Sequence, residues 1–404
     1  MQSFQVIDSS DIISAFKLLI QYCSDQNINI EAKNKLICDF ISANKHNYPF
    51  IKDEEVYFIF YGKAKLVHVV GDFNGWDSFD DSSKMKKVAN TDLFYLKKSF
   101  PSDARLDYQF IVDTESILDP LNENHVMGGF GYNSDLSMPK HSTIEVDATN
   151  QAEISKGSIN EIFFQSKIQK KWTRKIYVYL PPGYDQKQNQ KYPSFYAVDG
   201  TDYLLAGNVK EILDHYIHQQ LLPKVIGIFI DPLTPPLRIR DFNGKNCHED
   251  SDKLNYQGKT NICRDKYCEF LIKELVPYID SNFNTITDDP TKRAHVGVSL
   301  GGILSTFVAL RYSDSFKLIG SQSGSFWIEP EVYTAFDKLD QIKNMKFYLN
   351  AGIFEKRNYN HTKEFAEILK NHQYQIKDEY YNQGHSWGFW KETFGQMLEF
   401  LFNS

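Results

Sequence analysis

The segment HVGVSLGG (295–302) contains a serine whose neighbours suit it to act as a nucleophile. Gly297, Ser299 and Gly301 form the pattern G-x-S-x-G, which in some hydrolases joins a buried strand to a helix. In that turn the serine adopts a crowded backbone conformation, and the two glycines leave room for it. So short a pattern also occurs by chance, and it then serves only as a small-residue turn for strand–helix packing. The elements around the serine must therefore decide between a nucleophile and a structural turn.

A serine hydroxyl is a weak nucleophile, so the chemistry requires a base and an acid that orients the base. In folds that use this turn, the three residues follow one another as serine, acid, histidine. Glu355 follows the apolar run KFYLNAG (346–352), and His385 follows the next predicted strand, in NQGHSW. His361 and His372, by contrast, lie in a predicted helix. The sequence predicts His385 as the base and Glu355 as the acid, with a structural loop histidine and a surface glutamate as the alternatives.

Negative charge that develops on an attacked carbonyl oxygen must also be stabilised, usually by backbone N–H groups. Leu300 follows the serine and begins the predicted helix, so its N–H group is one candidate. The second is expected from Gly200 or Thr201, because SFYAVDGTDYL continues another buried strand into a loop. Asp199 in the same loop is expected to fix the loop rather than to react.

The elements that must position these residues lie between residues 151 and 404. Two apolar strands, EIFFQSKI and RKIYVYLPP, come first, and short apolar runs then alternate with helical stretches. The runs are 194–200, 225–231, 294–299, 317–324 and 346–352, and the helices lie near 204–221, 264–282, 301–313, 330–342 and 359–372. Runs that are apolar throughout predict strands covered by helices on both faces, in a mostly parallel sheet. This α/β domain places Ser299 between a strand and a helix, which favours the nucleophile.

The first 150 residues have a different pattern. Residues 1–50 predict a helical segment, with helices near 12–24 and 31–44. Residues 51–150 then alternate apolar and polar side chains in short strands, which predicts an all-β sandwich. RLDYQFIVD (105–113) is the clearest of these strands, and 133–158 is the predicted connection to the α/β domain, 151–404.

Composition and charge exclude several classes of protein. The 404 residues are 42% hydrophobic and 15% aromatic, which is enough for a large core and excludes global disorder. A net charge of −7 disfavours a nucleic-acid-binding protein. No apolar run approaches the length of a membrane span, and the first residues carry Asp8 and Asp11 where a secretion signal would be basic. Five cysteines are too few for a disulfide framework, so a cytoplasmic protein with reduced thiols is expected.

Several motifs occur in the order in which one known family has them. They are YVYLPPGYD, YAVDGTDYL, GIFIDP followed by Arg238, ELVPYID, HVGVSLGG, SQSGSFW, AGIFE and GHSW. In these the chain from about residue 50 resembles the enterochelin (enterobactin) esterase-like proteins of the esterase D group of α/β hydrolases. VVGDFNGWD and LDPLN are similar to the immunoglobulin-like early-set modules of those esterases and of glycogen-branching enzymes. The resemblance implies a serine esterase with Ser299, Glu355 and His385 as its triad.

The resemblance leaves the substrate open. Relatives cleave ferric catecholate siderophores, feruloyl or acetyl esters of plant polysaccharides, and small thioesters. The absence of an export signal favours a siderophore-type ester, and so do Arg238 and Arg357, which are expected on loops at the sheet's carboxyl edge. Trp327 and Trp387 flank the proposed catalytic loops and are candidates for stacking on the substrate's aromatic rings. Solvated charge and core packing are the alternatives for these four residues.

Two other readings of the chain remain. One is a polysaccharide feruloyl or acetyl esterase, and the other is an inactive hydrolase homologue that binds a glycan or a partner. Trp76, in GDFNGWD, is either a glycan platform or a packing residue of the sandwich. The long polar segment 241–263 predicts a lid or a binding loop. Its Cys247, His248 and Cys263 fit no zinc spacing, so no metal and no cofactor is expected.

Overall fold

The computed structural model describes residues 11–129, 131–142, 154–243, 262–338 and 342–403. Contacts between residues divide the chain into two compact units. The sandwich unit holds the described part of residues 1–143 together with 382–388, and the α/β unit holds the described part of 144–381 together with 389–404. The predicted division at residues 50 and 150 stays a prediction about domains.

The sandwich unit begins with α1 (Ile12–Ser24) and α2 (Ile30–Asn44), close to the predicted ranges. Asp11 caps α1 by accepting a hydrogen bond from Ser14 N at 3.2 Å. The apolar face of α1 is buried in one cluster with residues of α2 and of the strands that follow. Members of this cluster are Ile13, Phe16, Leu19, Cys23, Ile37, Phe50, Tyr57, Ile59 and Leu93. The helices therefore cover the outer face of one sheet of the sandwich, because Tyr57 and Ile59 point to the side opposite to Phe58.

Nine strands follow in the described part of this unit. They are β1 (Phe50–Lys52), β2 (Glu55–Tyr61), β3 (Val67–Gly71), β4 (Lys86–Lys87), β5 (Leu93–Ser99), β6 (Arg105–Val112), β7 (Glu115–Ile117), β8 (His125–Gly128) and β9 (Gly131–Ser137). One antiparallel sheet has the order β1-β2-β5-β4, and the other has β3-β6-β9-β8 with β7 beside β6. Phe58 of β2 contacts Tyr108 of β6 edge-on at 4.9 Å, so the inward faces of the two sheets form the core. The predicted β-sandwich is confirmed.

The predicted connection 133–158 begins too early. Its first residues belong to β9, which pairs with β6 and β8. The sequence GYNSDLS does not predict this strand, because only Ser134 and Leu136 are buried and the remaining positions are polar or glycine. Pairing on both sides forms the strand here, against its low intrinsic strand propensity.

The α/β unit contains one sheet of eight strands. They are β10 (Ser158–Gln165), β11 (Thr173–Leu180), β12 (Ser194–Val198), β13 (Ile226–Ile230), β14 (Arg293–Val298), β15 (Leu318–Gln322), β16 (Lys346–Gly352) and β17 (Gln375–Tyr381). Their order is β10-β11-β13-β12-β14-β15-β16-β17, with β10 and β11 antiparallel and β12 to β17 parallel. The predicted mostly parallel sheet is confirmed, and its central strands are buried along their whole length.

Helices connect the parallel strands. They are α3 (Gly200–Leu205), α4 (Val209–His218), α5 (Pro235–Phe242), α6 (Ile262–Phe270), α7 (Val276–Asn282), α8 (Leu300–Arg311), α9 (Pro330–Thr334), α10 (Lys356–Asn371) and α11 (Trp387–Phe402). A π-helical turn, Leu271–Leu275, joins α6 to α7. In α8 every residue from Leu300 to Ala309 is buried. Among the described helices, none is long and apolar enough to cross a membrane.

Three predictions about local structure are wrong. The predicted helix 204–221 is interrupted before Val209, where Asn208 has a φ of 47°, so α3 and α4 are separate. Arg238, in the segment DPLTPPLR, was expected on a loop, and the second half of this segment instead begins α5. Proline suits the first turn of a helix, where an N–H group would have no partner within the helix. Arg357 was also expected on a loop and lies in the first turn of α10.

The strand order reverses between β12 and β14. After β12 the chain moves to β13 on one side, and after β14 it moves to β15 on the other. The loops at the carboxyl ends of these two strands diverge and leave a crevice, which is where ligands bind in open α/β sheets. Asp199–Thr201 follows β12 and Ser299 follows β14, so the fold places both predicted catalytic segments at this crevice.

A buried carboxyl group makes the stability of the sandwich depend on pH. Asp119 accepts hydrogen bonds from the Tyr48 and Tyr108 hydroxyls at 2.7 and 2.8 Å, and from Leu121 N at 2.9 Å. Burial raises the pKa of Asp119 to about 6, above its ordinary value near 4. Between these two pH values the folded chain binds more protons at Asp119 than the unfolded chain.

We expect the sandwich unit to lose up to about 3 kcal/mol of stability from this group as pH rises from about 4 to about 6. Asparagine does not titrate, so Asp119→Asn should remove this dependence of stability on pH. Asp53→Asn, on the surface, should keep the slope of stability against pH. Hydrogen exchange of the β6 amides, corrected for the intrinsic effect of pH, measures the slope. An unchanged slope in Asp119→Asn would contradict the expectation.

Candidate active site

Ser299 occupies a strained turn between β14 and α8. Its φ is 57° and its ψ is −119°, a backbone conformation that residues with a side chain rarely adopt. The turn is held from both sides, because Ser299 N donates to Gln322 O at 2.9 Å and Ser299 O accepts from Gly302 N at 3.0 Å. Strain of this kind persists only where the surroundings enforce it, and it is concentrated at functional sites. The strained backbone of the half-buried Ser299 favours the predicted nucleophile over a purely structural turn, and the role of Ser299 stays a prediction.

The flanking glycines are required by close packing. A Cβ atom on Gly297 would overlap the backbone of Gly301, and a Cβ atom on Gly301 would lie 2.7 Å from Val198 Cγ2. Neither residue has positive φ, so what each supplies is space for the first turn of α8 to approach β14 and β12. The same approach directs the N–H groups at the start of α8 towards the crevice.

The loop after β15 contacts Ser299 directly. Ser325 N donates a hydrogen bond to Ser299 O at 3.0 Å, and the hydroxyls of Ser325 and Ser299 lie 3.2 Å apart. Gln322, which accepts from Ser299 N, is itself fixed by bonds from its side chain to Trp390 O and Thr393 Oγ1 at 2.8 and 2.7 Å. The turn at Ser299 is thus supported by β15 and α11 as well as by its own glycines.

Glu355 caps α10 and is held by three donors. Its Oε1 accepts hydrogen bonds from Ser323 Oγ at 2.6 Å and from Gly352 N at 2.9 Å, and its Oε2 accepts one from Asn358 Nδ2 at 2.9 Å. The residue is 8% exposed. A buried, fully oriented carboxylate can orient and stabilise a cationic base, whereas the surface glutamate of the alternative prediction would be solvated.

Ser323 links this carboxylate to its surroundings. Its hydroxyl donates to Glu355 and accepts from Trp390 Nε1 at 2.8 Å, and its φ is 50°. Asn358 Nδ2 also donates to Ser323 O at 3.0 Å. A single loop, Ser323–Ser325, therefore contacts both Ser299 and Glu355, the two predicted triad members that the structure connects through bonds within the α/β unit.

The loop after β12 is fixed by two acidic residues. Asp199 has a φ of 67° and forms a bidentate ion pair with Arg238, with Nε–Oδ1 and Nη2–Oδ2 distances of 2.6 and 2.7 Å. Thr201 Oγ1 donates to Asp231 Oδ2. These pairs hold the predicted oxyanion-binding loop in place, as expected for Asp199. Burial raises the pKa of Asp202 in the first turn of α3, and the negative charge of Asp199 raises it further.

The structure gives the predicted binding residues different surroundings. The guanidinium of Arg238 is paired with Asp199, and its side chain is 22% exposed. Arg357 is exposed, and its guanidinium carbon lies 5.1 Å from the centroid of the Trp327 ring, which is 40% exposed. Trp387 is only 3% exposed, which favours the packing alternative for that residue. The roles of these residues stay predictions.

His385 lies in the segment Asn382–Gly388, after β17 and at the start of α11. It is exposed, while Gly384 and Ser386 on either side of it are buried. The segment groups with the sandwich unit and not with the strand that precedes it. Sequence reasoning did not anticipate this grouping, because it assigned all of 151–404 to one domain.

Several other residues were missed or lie outside the description. Ser323, Ser325 and Asn358 carry hydrogen bonds described above, and the only signal for the two serines was the motif SQSGSFW. Of the predicted lid, 244–261 lies outside the described residues, including Cys247 and His248. Trp76, the predicted glycan platform, is 38% exposed, and its Nε1 donates to Asp72 Oδ1 at 3.2 Å. Its contact with a glycan stays a prediction.

A parallel sheet with a glycine-flanked serine at positive φ, at the carboxyl edge where the strand order reverses, defines an α/β hydrolase. Residues 168–401 match the model of one family, described as "Putative esterase". That match covers more than half of the chain, so the chain belongs to this esterase family, and it is a carboxylic ester hydrolase.

Several known proteins resemble the chain in sequence or in fold. The chain is 32% identical to the uncharacterised protein YbbA of Bacillus subtilis over 202 residues, which is 50% of this chain and 74% of YbbA. It is 27% identical to an endo-1,4-beta-xylanase/feruloyl esterase of Xylanibacter ruminicola over 277 residues, covering 65% of this chain and 33% of that protein. The enterobactin esterase of Shigella flexneri, solved in the presence of enterobactin, has the same fold. Its TM-score is 0.70 at 20% identity, over 87% of this chain and 94% of that one.

The packing at Gly297 makes the turn sensitive to a single methyl group. We expect Gly297→Ala to lower the free energy of unfolding by about 1–3 kcal/mol, because the backbone of Gly301 must move. The same shift displaces Ser299, so ester hydrolysis should fall as well. Gly129→Ala is the matched control, since nothing lies within 4 Å of a Cβ there. Urea denaturation and ester hydrolysis measure the two effects, and equal behaviour of the two variants would contradict this account.

Proposed function

We propose that the protein is a serine esterase in which Ser299 is the nucleophile, His385 the general base and Glu355 the acid that orients it. The observation that carries the proposal is the positive φ of Ser299 in a turn that Gly297 and Gly301 make sterically possible. The buried, three-donor environment of Glu355 supports its part. The exposed side chain of His385, with buried residues on both sides, supports a ring that meets a substrate.

The reaction proceeds through an acyl-enzyme. His385 takes the proton of Ser299 Oγ as this oxygen attacks the ester carbonyl carbon, and the carbonyl oxygen becomes an oxyanion. The tetrahedral intermediate collapses, the bond to the alcohol oxygen breaks, and protonated His385 gives that oxygen its proton. Water then loses a proton to His385 and attacks the acyl carbon, which releases the acid and restores Ser299 Oγ–H.

The oxyanion is stabilised by backbone donors. Leu300 N, at the first turn of α8, and the N–H of Gly200 or Thr201 fill this role. Two features support the second donor. Asp199 is locked by its bidentate pair with Arg238, and the Thr201 side chain is held by Asp231, so the loop is preorganised before substrate binds. Preorganised donors cost no rearrangement when charge develops.

The substrate we propose is a siderophore-type ester, such as a ferric catecholate lactone. Trp327 and Arg357 support it, because an exposed indole with a cation over it suits a ligand that is both aromatic and anionic. Trp327 follows the Ser323–Ser325 loop, and Arg357 follows Glu355, so both are joined closely to the proposed catalytic residues. The enterobactin esterase of Shigella flexneri shares the fold, which agrees with the proposal.

The second candidate is a feruloyl or acetyl ester of a polysaccharide. Trp327 favours it to the same degree, since its ring stacks equally on a feruloyl group. The relative in Xylanibacter ruminicola carries both xylanase and feruloyl esterase in its name. The two substrates differ in charge, because the ferric catecholate is a polyanion and a feruloyl ester is neutral at its aromatic end.

Removal of the nucleophile tests the chemistry. Ser299→Ala should lower ester hydrolysis by at least about 1,000-fold, because the hydroxyl that attacks is gone. Ser281→Ala, the same change at an exposed serine of α7, should retain wild-type activity. Both variants are assayed on a 4-nitrophenyl ester and by labelling with a fluorophosphonate. Labelling or turnover of Ser299→Ala at the wild-type rate would contradict the proposal.

Removal of the exposed cation separates the two substrates. Arg357→Gln should raise KM for a ferric tricatecholate lactone about 10-fold, because one charge-assisted contact is lost, and leave KM for a feruloylated oligosaccharide unchanged. Lys363→Gln removes a cation elsewhere on α10 and is the control. Product release followed by mass spectrometry gives both constants. Serine-dependent release of ferulate, with an intact lactone, would replace the siderophore proposal by the second candidate.

A further inference from the structure

The segment that carries His385 is built into the sandwich unit. Along the chain, Asn382–Gly388 follows β17, the edge strand of the parallel sheet, and includes the first residues of α11. Its residues nevertheless group with those of 1–143 in one compact unit. The contacts responsible converge on one residue of β6, Arg105, and on one residue after β3, Asp72.

The backbone of Arg105 binds the beginning of the segment. Arg105 N donates to Asn382 O at 3.1 Å, and Arg105 pairs with Gln383 as an isolated parallel bridge. Beside this bridge, Asn382 Nδ2 donates to Asp103 Oδ1 at 2.8 Å. The segment thus continues the sheet of β6 for one residue pair, which fixes the direction in which the chain enters the turn at His385.

The guanidinium of Arg105 binds the end of the segment. Arg105 Nη1 lies 3.2 Å from Ser386 Oγ, and a Cβ atom on Gly388 would overlap the guanidinium group. Arg105 is 4% exposed, and its charge is balanced by Asp107 and Asp135, with N–O distances of 2.9 and 2.6 Å. A buried arginine with two carboxylates is rigid, because leaving any of these charges unpaired is costly. One rigid side chain therefore contacts both Ser386 and Gly388.

Asp72 packs against the segment on the other side of His385. A Cβ atom on Gly384 would overlap the carboxyl group of Asp72, so the backbone there lies directly against it. Asp72 is 4% exposed and is held by Asp107 N at 2.8 Å and by Trp76 Nε1 at 3.2 Å. The tryptophan that the sequence offered as a glycan platform thus binds the carboxyl group that packs against Gly384.

These contacts leave His385 as the exposed residue of a buried segment. Gln383, Ser386 and Trp387 are 3, 5 and 3% exposed, and Gly384 is buried. Residues on both sides of His385 are fixed by Arg105 and Asp72, while His385 itself is exposed. The arrangement sets where the ring can be, because the backbone on both sides of it cannot shift without breaking buried polar contacts.

We propose that Arg105 is a positioning residue for His385, because it fixes the backbone on both sides of this histidine. The inference rests on the proposed function, in which His385 is the base. Arg105 contacts neither the substrate nor the reacting atoms, and it acts only through the segment Asn382–Gly388. The alternative is that the same contacts serve stability alone. Turnover distinguishes the two, since a base displaced by about 1 Å lowers the rate up to about 100-fold.

The first test uses the full-length chain with Arg105→Lys and Ser386→Ala. Lysine keeps the charge but cannot reach Asp107, Asp135 and Ser386 together, so kcat should fall about 10- to 100-fold with KM within about 3-fold of wild type. Ser386→Ala removes one contact, folds with little perturbation, and should lower kcat about 3- to 10-fold. Arg293→Lys, which changes a buried arginine paired with Asp280 at 2.7 Å in the α/β unit, should keep wild-type kcat.

Chemical rescue separates positioning from stability. Arg105→Ala leaves a cavity the size of a guanidinium group, so guanidinium ion added below denaturing concentrations should restore kcat in a saturable way. It should not restore Ser299→Ala. The unfolding midpoint of each variant is measured under the same conditions, and the assays are run well below it.

Wild-type kcat in both Arg105→Lys and Ser386→Ala, with Ser299→Ala and His385→Ala inactive, would overturn the positioning role and leave the proposed function intact. A fall in kcat that tracks the unfolding midpoint and shows no rescue would also overturn it. Wild-type turnover in His385→Ala would instead overturn the proposed function itself.

Discussion

The backbone of Ser299 cannot relax, and much of the α/β unit is arranged around that constraint. A φ of 57° is unfavourable for serine, so the turn must be enforced from outside. Gly297 and Gly301 allow α8 to lie against β14 and β12, and almost the whole of α8 is buried as a result. The gain from burying that helix offsets the local strain. The same geometry places the serine hydroxyl at the start of a helix, where backbone N–H groups face the crevice.

The loop after β15 contacts both Ser299 and Glu355. Ser325 binds the carbonyl of Ser299, and Ser323 binds the carboxylate of Glu355 and the indole of Trp390. Ser323 also has positive φ, so this loop is itself enforced by its hydrogen bonds. A displacement of the loop would move both Ser299 and Glu355, so the loop connects two proposed triad members that are far apart in the chain.

Buried ion pairs have a common role in both units. Arg238 and Asp199 fix the loop after β12, and Arg105 with its two carboxylates fixes the segment of His385. Such pairs contribute little net stability, since burying the charges costs about as much as the pairing returns. What they supply is a single geometry, because each arginine satisfies its partners in one arrangement. The protein thus places buried ion pairs beside two of the segments that carry the proposed site residues.

The sequence by itself determined the elements and the chemistry that depend on local pattern. Apolar runs without alternation predicted the parallel strands, alternation predicted β6, and the glycine-flanked Ser299 predicted the nucleophile, since backbone propensity and side-chain period are properties of short segments. Only the tertiary structure decided what depends on distant partners. β9 has no apolar alternation and exists because β6 and β8 pair with it. Arg105 and Ser386 lie 281 positions apart, and no local pattern links them. That the segment of His385 belongs with the sandwich therefore followed from the folded chain alone.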